Sequence, residues 1–368
     1  MITAFLIFLP LLLTFVIAAN YVERKIAAFA QDRLGPDEVG PKGILQPVAD
    51  LLKLLQKEDI VPLAADQKLY LVAPIIIFTA VFAGYAVVPL TSEVVGSGAK
   101  VGVFYLLAIA SMDVIGILMA GWGSNNKYSL YGSVRSVAQI ISYEIPLGLS
   151  VLCVVMISQS LDLQEISFQQ GIWADNYYKK EGVEYTNYLF GMSATGIETS
   201  GIFAWNIVRM PFLIIALLIF FIASLSEANR APFDIPEAES ELIAGYHTEY
   251  SGFRWAMLML GEYGIMLLVS FLAAILFLGS WNTPFPNIGE FELAKMTSGA
   301  PGSIAGNLWG AFWLISKAAF FVFFQMLARW TYPRLRVDQL MSLCWKYLTP
   351  IILIVLFLCG IWRLLMVM

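Results

Sequence analysis

Long apolar stretches alternate with shorter polar ones along the whole chain. Mostly apolar segments recur near residues 2–20, 69–90, 101–122, 137–159, 205–226, 255–279, 305–327 and 347–367. Each is long enough to cross about 30 Å of hydrocarbon as a helix. The runs are apolar on every side, whereas strands of a membrane barrel alternate apolar and polar positions over about 10 residues. In lipid the backbone polar groups of such runs must be satisfied within helices. The pattern therefore predicts an all-α integral membrane protein, one membrane domain over residues 1–368, folded as a bundle of eight transmembrane helices. The first run begins at the initiator methionine without a basic leader or a small-residue cleavage site, and it reads as a retained helix rather than a signal peptide.

Composition agrees with this reading, because 59% of residues are apolar and 13% charged, more apolar surface than a single soluble core hides. An even number of spans places both termini on one side. Loops on the opposite side carry 15 of the 22 basic residues, Arg24 through Lys346, so the positive-inside tendency makes those loops cytoplasmic and the termini outward-facing. A net charge of −5 with no basic stripe argues against nucleic acid. Cys153, Cys344 and Cys359 form no CxxC pair, so no iron–sulfur or zinc site is written in the chain. Gly96, Gly98 and Gly102 miss the dinucleotide spacing, and no phosphate-binding GKS or GKT occurs.

Three connections stand out. Residues 21–68 form a cytoplasmic loop in which Ile44, Leu45, Val48, Leu51, Leu52 and Leu55 share one helical face and Lys42, Gln46, Asp50, Lys53 and Lys57 the other. This is an amphipathic helix lying on the membrane or on a protein partner. Residues 161–205 read as an outward-facing extension with little chemistry. Residues 227–254 form an acidic cytoplasmic loop whose stretch from Glu227 to Gly252 holds six carboxylates, one arginine and the only histidine, His247.

In that loop Asp234, Glu237 and Glu241 fall at helical spacing after Pro236, with Glu239 turned elsewhere. Neighbouring carboxylates raise one another's pKa, which lets some carry protons near neutrality. The same residues also fit a helix capping box with Arg230 as a neutralising partner. Asp113, Glu144, Glu262 and Lys317 lie within apolar runs, where a central charge costs about 2.5–3.5 kcal/mol and usually pairs or marks an ion path. Pro146 follows Glu144 closely, so a hydrated helix break beside a buried carboxylate is expected there. Glu23, Arg24 and Lys25, followed by Arg33-Leu34-Gly35-Pro36, form a charged rim suited to guiding a polar headgroup into an apolar slot; ordinary positive-inside anchoring is the plainer reading.

The blocks VERKIAAFAQDRLGP at 22–36, GPKGILQPVADLLKLLQKED at 40–59, GWGSNNKYSLYGSVRSVAQIISYEIPLG at 121–148, and the acidic loop with GEYG at 261–264 occur in this order. Over nearly its whole length the chain resembles the H-subunit family of bacterial respiratory NADH:quinone oxidoreductases, equivalent to mitochondrial NADH dehydrogenase subunit 1 of complex I. The resemblance implies a membrane component of the cell inner membrane that builds much of a quinone chamber and couples quinone reduction to proton translocation. It implies Arg24, Arg33, Asp50 and Lys53 at the chamber, and Arg135, Glu144, Asp234, Glu237, Glu239, Glu241 and Glu249 in a proton relay. It further implies quinone as substrate, with FMN and iron–sulfur clusters held by partner subunits and no cofactor on this chain. The implied partners are peripheral-arm subunits carrying the terminal cluster and the headgroup site, small and antiporter-like membrane subunits, and lipid. The resemblance assigns Asp113 no role, and segment 161–205 is longer than the family pattern implies. An equivalent membrane component of an energy-converting hydrogenase or a ferredoxin-driven quinone reductase, a stand-alone cation/proton transporter, and a purely structural anchor are the competing readings.

Overall fold

The computed structural model describes residues 2–174, 188–193, 200–235, 242–287 and 292–367. Among these, seven helical segments are long and apolar enough to cross a membrane. Helix α1 (Ile2–Ala30) is followed by α2 (Gln46–Gln56), α3 (Gln67–Gly84), α4 (Gly102–Ala110), α5 (Met112–Gly123) and α6 (Lys127–Ser158). Then come α7 (Leu163–Gln169), a two-stranded hairpin of β1 (Tyr188–Leu189) and β2 (Met192–Ser193), α8 (Asn206–Arg209), α9 (Leu213–Glu227) and α10 (Gly252–Phe277). The chain closes with α11 (Leu293–Ser298), α12 (Ile304–Thr331), α13 (Val337–Ser342) and α14 (Thr349–Val367), the last two joined into one rod by a π-helical turn at Leu343–Leu348.

The predicted helical bundle is present, with two departures in length. Helix α1 runs on to Ala30, so Glu23, Arg24 and Lys25 ride on its last turns rather than in the connection that follows; the ERKIAAFA stretch is made of good helix formers. The predicted run 205–226 is broken. Pro211 lacks an N–H and disfavours helix at the residue before it, Met210 is extended (φ −133°, ψ 104°), and the apolar helix α9 keeps 15 residues.

Helix α10 is the axis of the bundle, and most of its surface is buried among α3, α9 and α12. The GEYG stretch explains how it packs. A Cβ at Gly261 or Gly264 would come within 2.7 Å of Ile77 or Val81 of α3, so both glycines are needed for close approach. Glu262 and Tyr263, between them, turn to other partners. The outer helices keep large apolar side chains exposed, among them Ile354, Phe357 and Leu364 of α14, as a lipid- or subunit-facing wall requires. Side chains cap several starts: Asp66 accepts from Lys68 N and Leu69 N before α3, and Asn126 from Tyr128 N before α6.

Helix α6 passes through Pro146 without the expected break. Proline removes the hydrogen bond to the carbonyl four residues earlier, and that carbonyl, Ser142 O, instead accepts from Cys344 Sγ at 3.0 Å. A thiol from the π-helical turn satisfies the freed group. The ammonium of Lys317 donates to the carbonyls of Ser280 (2.8 Å) and Asn282 (2.6 Å), with the Trp205 ring 4.7 Å away.

Candidate functional site

The amphipathic segment is shorter than its pattern, with a turn at Pro41–Gly43 before α2 begins at Gln46. Its apolar positions divide into two stripes. Val48, Leu52 and Leu55 are exposed, while Pro47, Leu51 and Leu54 turn inward with Asp50 toward α1 and α10. Between these three helices lies a cavity of about 260 Å³. Val16 and Ile17 of α1, Leu51 and Leu54 of α2, and Trp255, Met259 and Leu260 of α10 form apolar walls. Arg24, Arg230 and Arg329 supply three guanidinium groups against the two carboxylates of Asp50 and Glu262, so the lining is net positive by one charge. Apolar walls with a few converging polar groups make a small-molecule site.

Behind the cavity the charges are tied together. Glu23, only 5% exposed, accepts from Tyr263 OH at 2.7 Å and pairs with Arg230 at 3.3 Å and with Arg329. The Arg230 guanidinium also lies over the Tyr263 ring, 4.3 Å from its centre. Burial works against the charge of Arg230, but Glu23, Tyr263 and Glu262 outweigh it and hold its pKa above the ordinary arginine value. Glu262 meets His247 Nε2 at 2.9 Å and accepts from Tyr246 OH at 2.8 Å. Asp234 pairs with Arg334 at 3.2 Å; the segment that the capping-box reading has it cap lies outside the described residues. Burial lifts the pKa of Asp234 above the usual carboxylate range, the pull of Arg334 and Arg329 notwithstanding.

Comparison with known proteins bears on this arrangement. The sequence model of the NADH dehydrogenase family matches residues 2–360. The chain belongs to the NADH dehydrogenase family. It is 57% identical over 357 residues to the second H subunit of the NADH-quinone oxidoreductase of Cytophaga hutchinsonii, covering 96% of each chain. It is 52% identical over 343 residues to the H subunit of the same enzyme from Chlorobium luteolum, covering 93% of this chain and 83% of the relative. The H subunit of Chlorobaculum parvum is 51% identical over 342 residues, covering 93% of this chain and 86% of the relative.

The residues expected from the NADH dehydrogenase resemblance are not all brought together. Arg24 and Asp50 meet at 2.7 Å on the cavity rim. Lys53 lies 3.6 Å from Asp50 with its side chain largely in the open, and Arg33 is exposed on the loop, donating to Gln31 at 2.7 Å. Arg135 and Glu144 share α6, both half-buried. The expected burial of the Glu144 carboxyl is only partial; it sits beside the exposed Ile141 and Ile145, because Tyr143 and Pro146 take the inner face. Glu249 is pinned by Asn126, at the start of α6, through a 2.6 Å hydrogen bond. Glu237, Glu239 and Glu241 lie outside the described residues.

Sequence reasoning misses Arg329, Tyr263, Trp255 and Met259 as site residues, and reads Glu23 only as part of a charged rim and Arg230 only as a neutralising partner of the acidic loop. No spacing links Glu23 to residues more than 200 positions away. The usable signal is a carboxylate beside two basic residues at the end of an apolar run, which has little reason to be there without a distant partner.

Proposed function

We propose that this chain is the membrane component of an NADH-quinone oxidoreductase in which a quinone enters the cavity between α1, α2 and α10, and that its carboxylates pass protons in response to quinone reduction. The observation that carries the reading is the cavity itself: an apolar slot, open beside an amphipathic helix, ending on Arg230, Arg329 and Glu262. A quinone has an apolar tail and two carbonyl oxygens that gain negative charge on reduction, and the guanidinium groups in the lining suit those oxygens. The relatives are named as one subunit of a larger enzyme, so partners supply the rest: peripheral-arm subunits with FMN, the iron–sulfur clusters and headgroup contacts, plus small and antiporter-like membrane subunits. Residence in the bacterial inner membrane, with both termini outward, completes the proposal.

Reduction of the quinone takes up two electrons from a partner's cluster and two protons, forming quinol. Each negative charge arriving at the headgroup raises the proton affinity of nearby carboxylates. Glu262, with its His247 and Tyr246 partners, stands at that end. Asp234 and the loop acids Glu237, Glu239, Glu241 and Glu249 form the acidic funnel, and Arg135 and Glu144 carry the path along α6. Glu144, half-open at the bundle flank, is placed to hand a proton to an adjoining membrane subunit.

The test is affinity purification from native membranes in mild detergent, with NADH-to-quinone activity and proton uptake measured on the product. Cluster-bearing and antiporter-like partners together with quinone reductase activity are expected, and Glu144→Gln in the assembled enzyme is expected to abolish pumping. A lone stable chain, or undiminished pumping by Glu144→Gln, contradicts the reading.

A further inference from the structure

The resemblance assigns Asp113 no role, yet the structure gives it an unusual setting. It lies near the middle of the span Gly102–Gly123, eleven residues (113 − 102) from one end and ten (123 − 113) from the other. Within that span α4 meets α5 at Ser111, whose backbone stays helical (φ −64°, ψ −16°) and whose hydroxyl turns back onto Ala108 O at 2.9 Å, and Asp113 sits in the first turn of α5. The residue is 4% exposed, and its Oδ1 is fully buried with no hydrogen-bond partner among the described residues. Buried polar oxygens are nearly always satisfied, so an orphan at mid-membrane calls for a proton or a transient water.

Its surroundings point the same way. Asp113 feels the charges of both Glu262, at the cavity, and Glu227, at the end of α9; Glu227 in turn feels Glu144. A small void of about 10 Å³ lies against Glu227, the last turns of α4 and Leu147 of α6. That is close to the space one water molecule needs. We propose that Asp113 is an additional proton-carrying carboxyl, bridging Glu262 at the cavity to Glu227 and Glu144 in the bundle. The inference rests on the reading that this chain passes protons from the cavity into the bundle. The step moves a proton between carboxyl oxygens, through a transient water, with no bond to carbon made or broken.

The test uses the complete enzyme in proteoliposomes, measuring NADH-to-quinone turnover and acidification together. Asp113→Asn keeps size and hydrogen-bonding capacity but cannot pass a proton. It is expected to lower protons pumped per turnover tenfold or more, with electron transfer to hexacyanoferrate unchanged, and Asp113→Glu is expected to restore pumping. Loss with Asn and no recovery with Glu assigns a structural role and overturns the proposal. Normal pumping by Asp113→Asn alongside failure of Glu144→Gln overturns the role of Asp113 alone; normal pumping by both overturns the underlying reading. If Asp113→Asn does not assemble, infrared difference spectra on quinone reduction decide. A protonated-carboxyl band that moves with ¹³C-aspartate in the native enzyme and with ¹³C-glutamate in Asp113→Glu supports the proposal, and absence of that band overturns it.

Discussion

Replacing Glu23 by Gln removes one negative charge and almost no volume from the point where Arg230 and Arg329 meet. The carboxylate is nearly sealed from water, with a side chain 7% exposed, as is that of Arg230, while the Arg329 side chain is 27% exposed. Removing one partner of a buried ion pair costs about 3–5 kcal/mol, because the remaining charge is left uncompensated. Here two guanidinium groups remain, but Arg329 reaches water and Gln can still accept one hydrogen bond, so the lower end, about 3 kcal/mol, applies. At 1.36 kcal/mol per decade this is roughly a hundredfold. We expect Glu23→Gln to shift the folding equilibrium of the purified enzyme by about that factor and, by leaving Arg230 and Arg329 unbalanced at the cavity, to raise KM or lower kcat for quinone. Oxidation of NADH by hexacyanoferrate, which bypasses the cavity, should not change. The double variant Glu23→Gln/Arg329→Gln leaves a single buried cation beside a neutral partner and should recover about 1–2 kcal/mol of the loss, within the usual range for residues in one network. Additive losses in the double variant, or a Glu23→Gln enzyme with native quinone kinetics, would refute the reasoning.

Ala256 faces the cavity; Ala256→Phe fills part of it, and quinone reduction should fall at least tenfold with hexacyanoferrate reduction intact, both read in the same steady-state assay. Cys344→Ala leaves Ser142 O without its donor at the proline step, and an unsatisfied buried acceptor costs about 1–3 kcal/mol; the enzyme should lose thermal stability, which Cys344→Ser should largely return. Folding raises the pKa of Asp234, so its proton is held more tightly in the fold. Below the ordinary value of about 3.9 it is protonated folded or unfolded, and the fold loses stability as pH climbs from there through the raised pKa. Asp234→Asn removes that loss without stranding a sealed cation, since the Arg334 side chain is 37% exposed. The gap in thermal-inactivation temperature between Asp234→Asn and native enzyme should therefore widen with pH over that window; a constant gap would exclude the linkage.

The helices were legible because lipid demands them: a run of apolar residues long enough to cross a bilayer has no other way to satisfy its backbone. Where reading by run length failed, a local backbone effect decided the outcome, as with Pro211, which shortens α9, and the ERKIAAFA stretch, which carries α1 to Ala30. Proline reads ambiguously. Pro211 breaks a helix and Pro146 does not, since Cys344, almost 200 residues on, occupies the carbonyl that Pro146 frees. The same limit governs the site. Arg24 and Asp50 are put at one chamber by the resemblance alone, and they do meet. The junction of Glu23, Arg230, Arg329 and Tyr263 joins four separate elements, and no periodicity encodes such a pairing. Arg33 and Lys53 belong to strongly marked motifs yet lie open to solvent and are not among the residues that line the cavity.

Photolabelling of the intact enzyme with an azido-quinone, followed by peptide mapping, tests the central claim most directly. The account predicts label on the segments that line the cavity, around Val16–Arg24, Pro47–Leu54 and Trp255–Tyr263, displaced by excess unlabelled quinone and diminished by Ala256→Phe. Label confined to other subunits, or spread over the exposed lipid-facing helices and undisturbed by competing quinone, would contradict it.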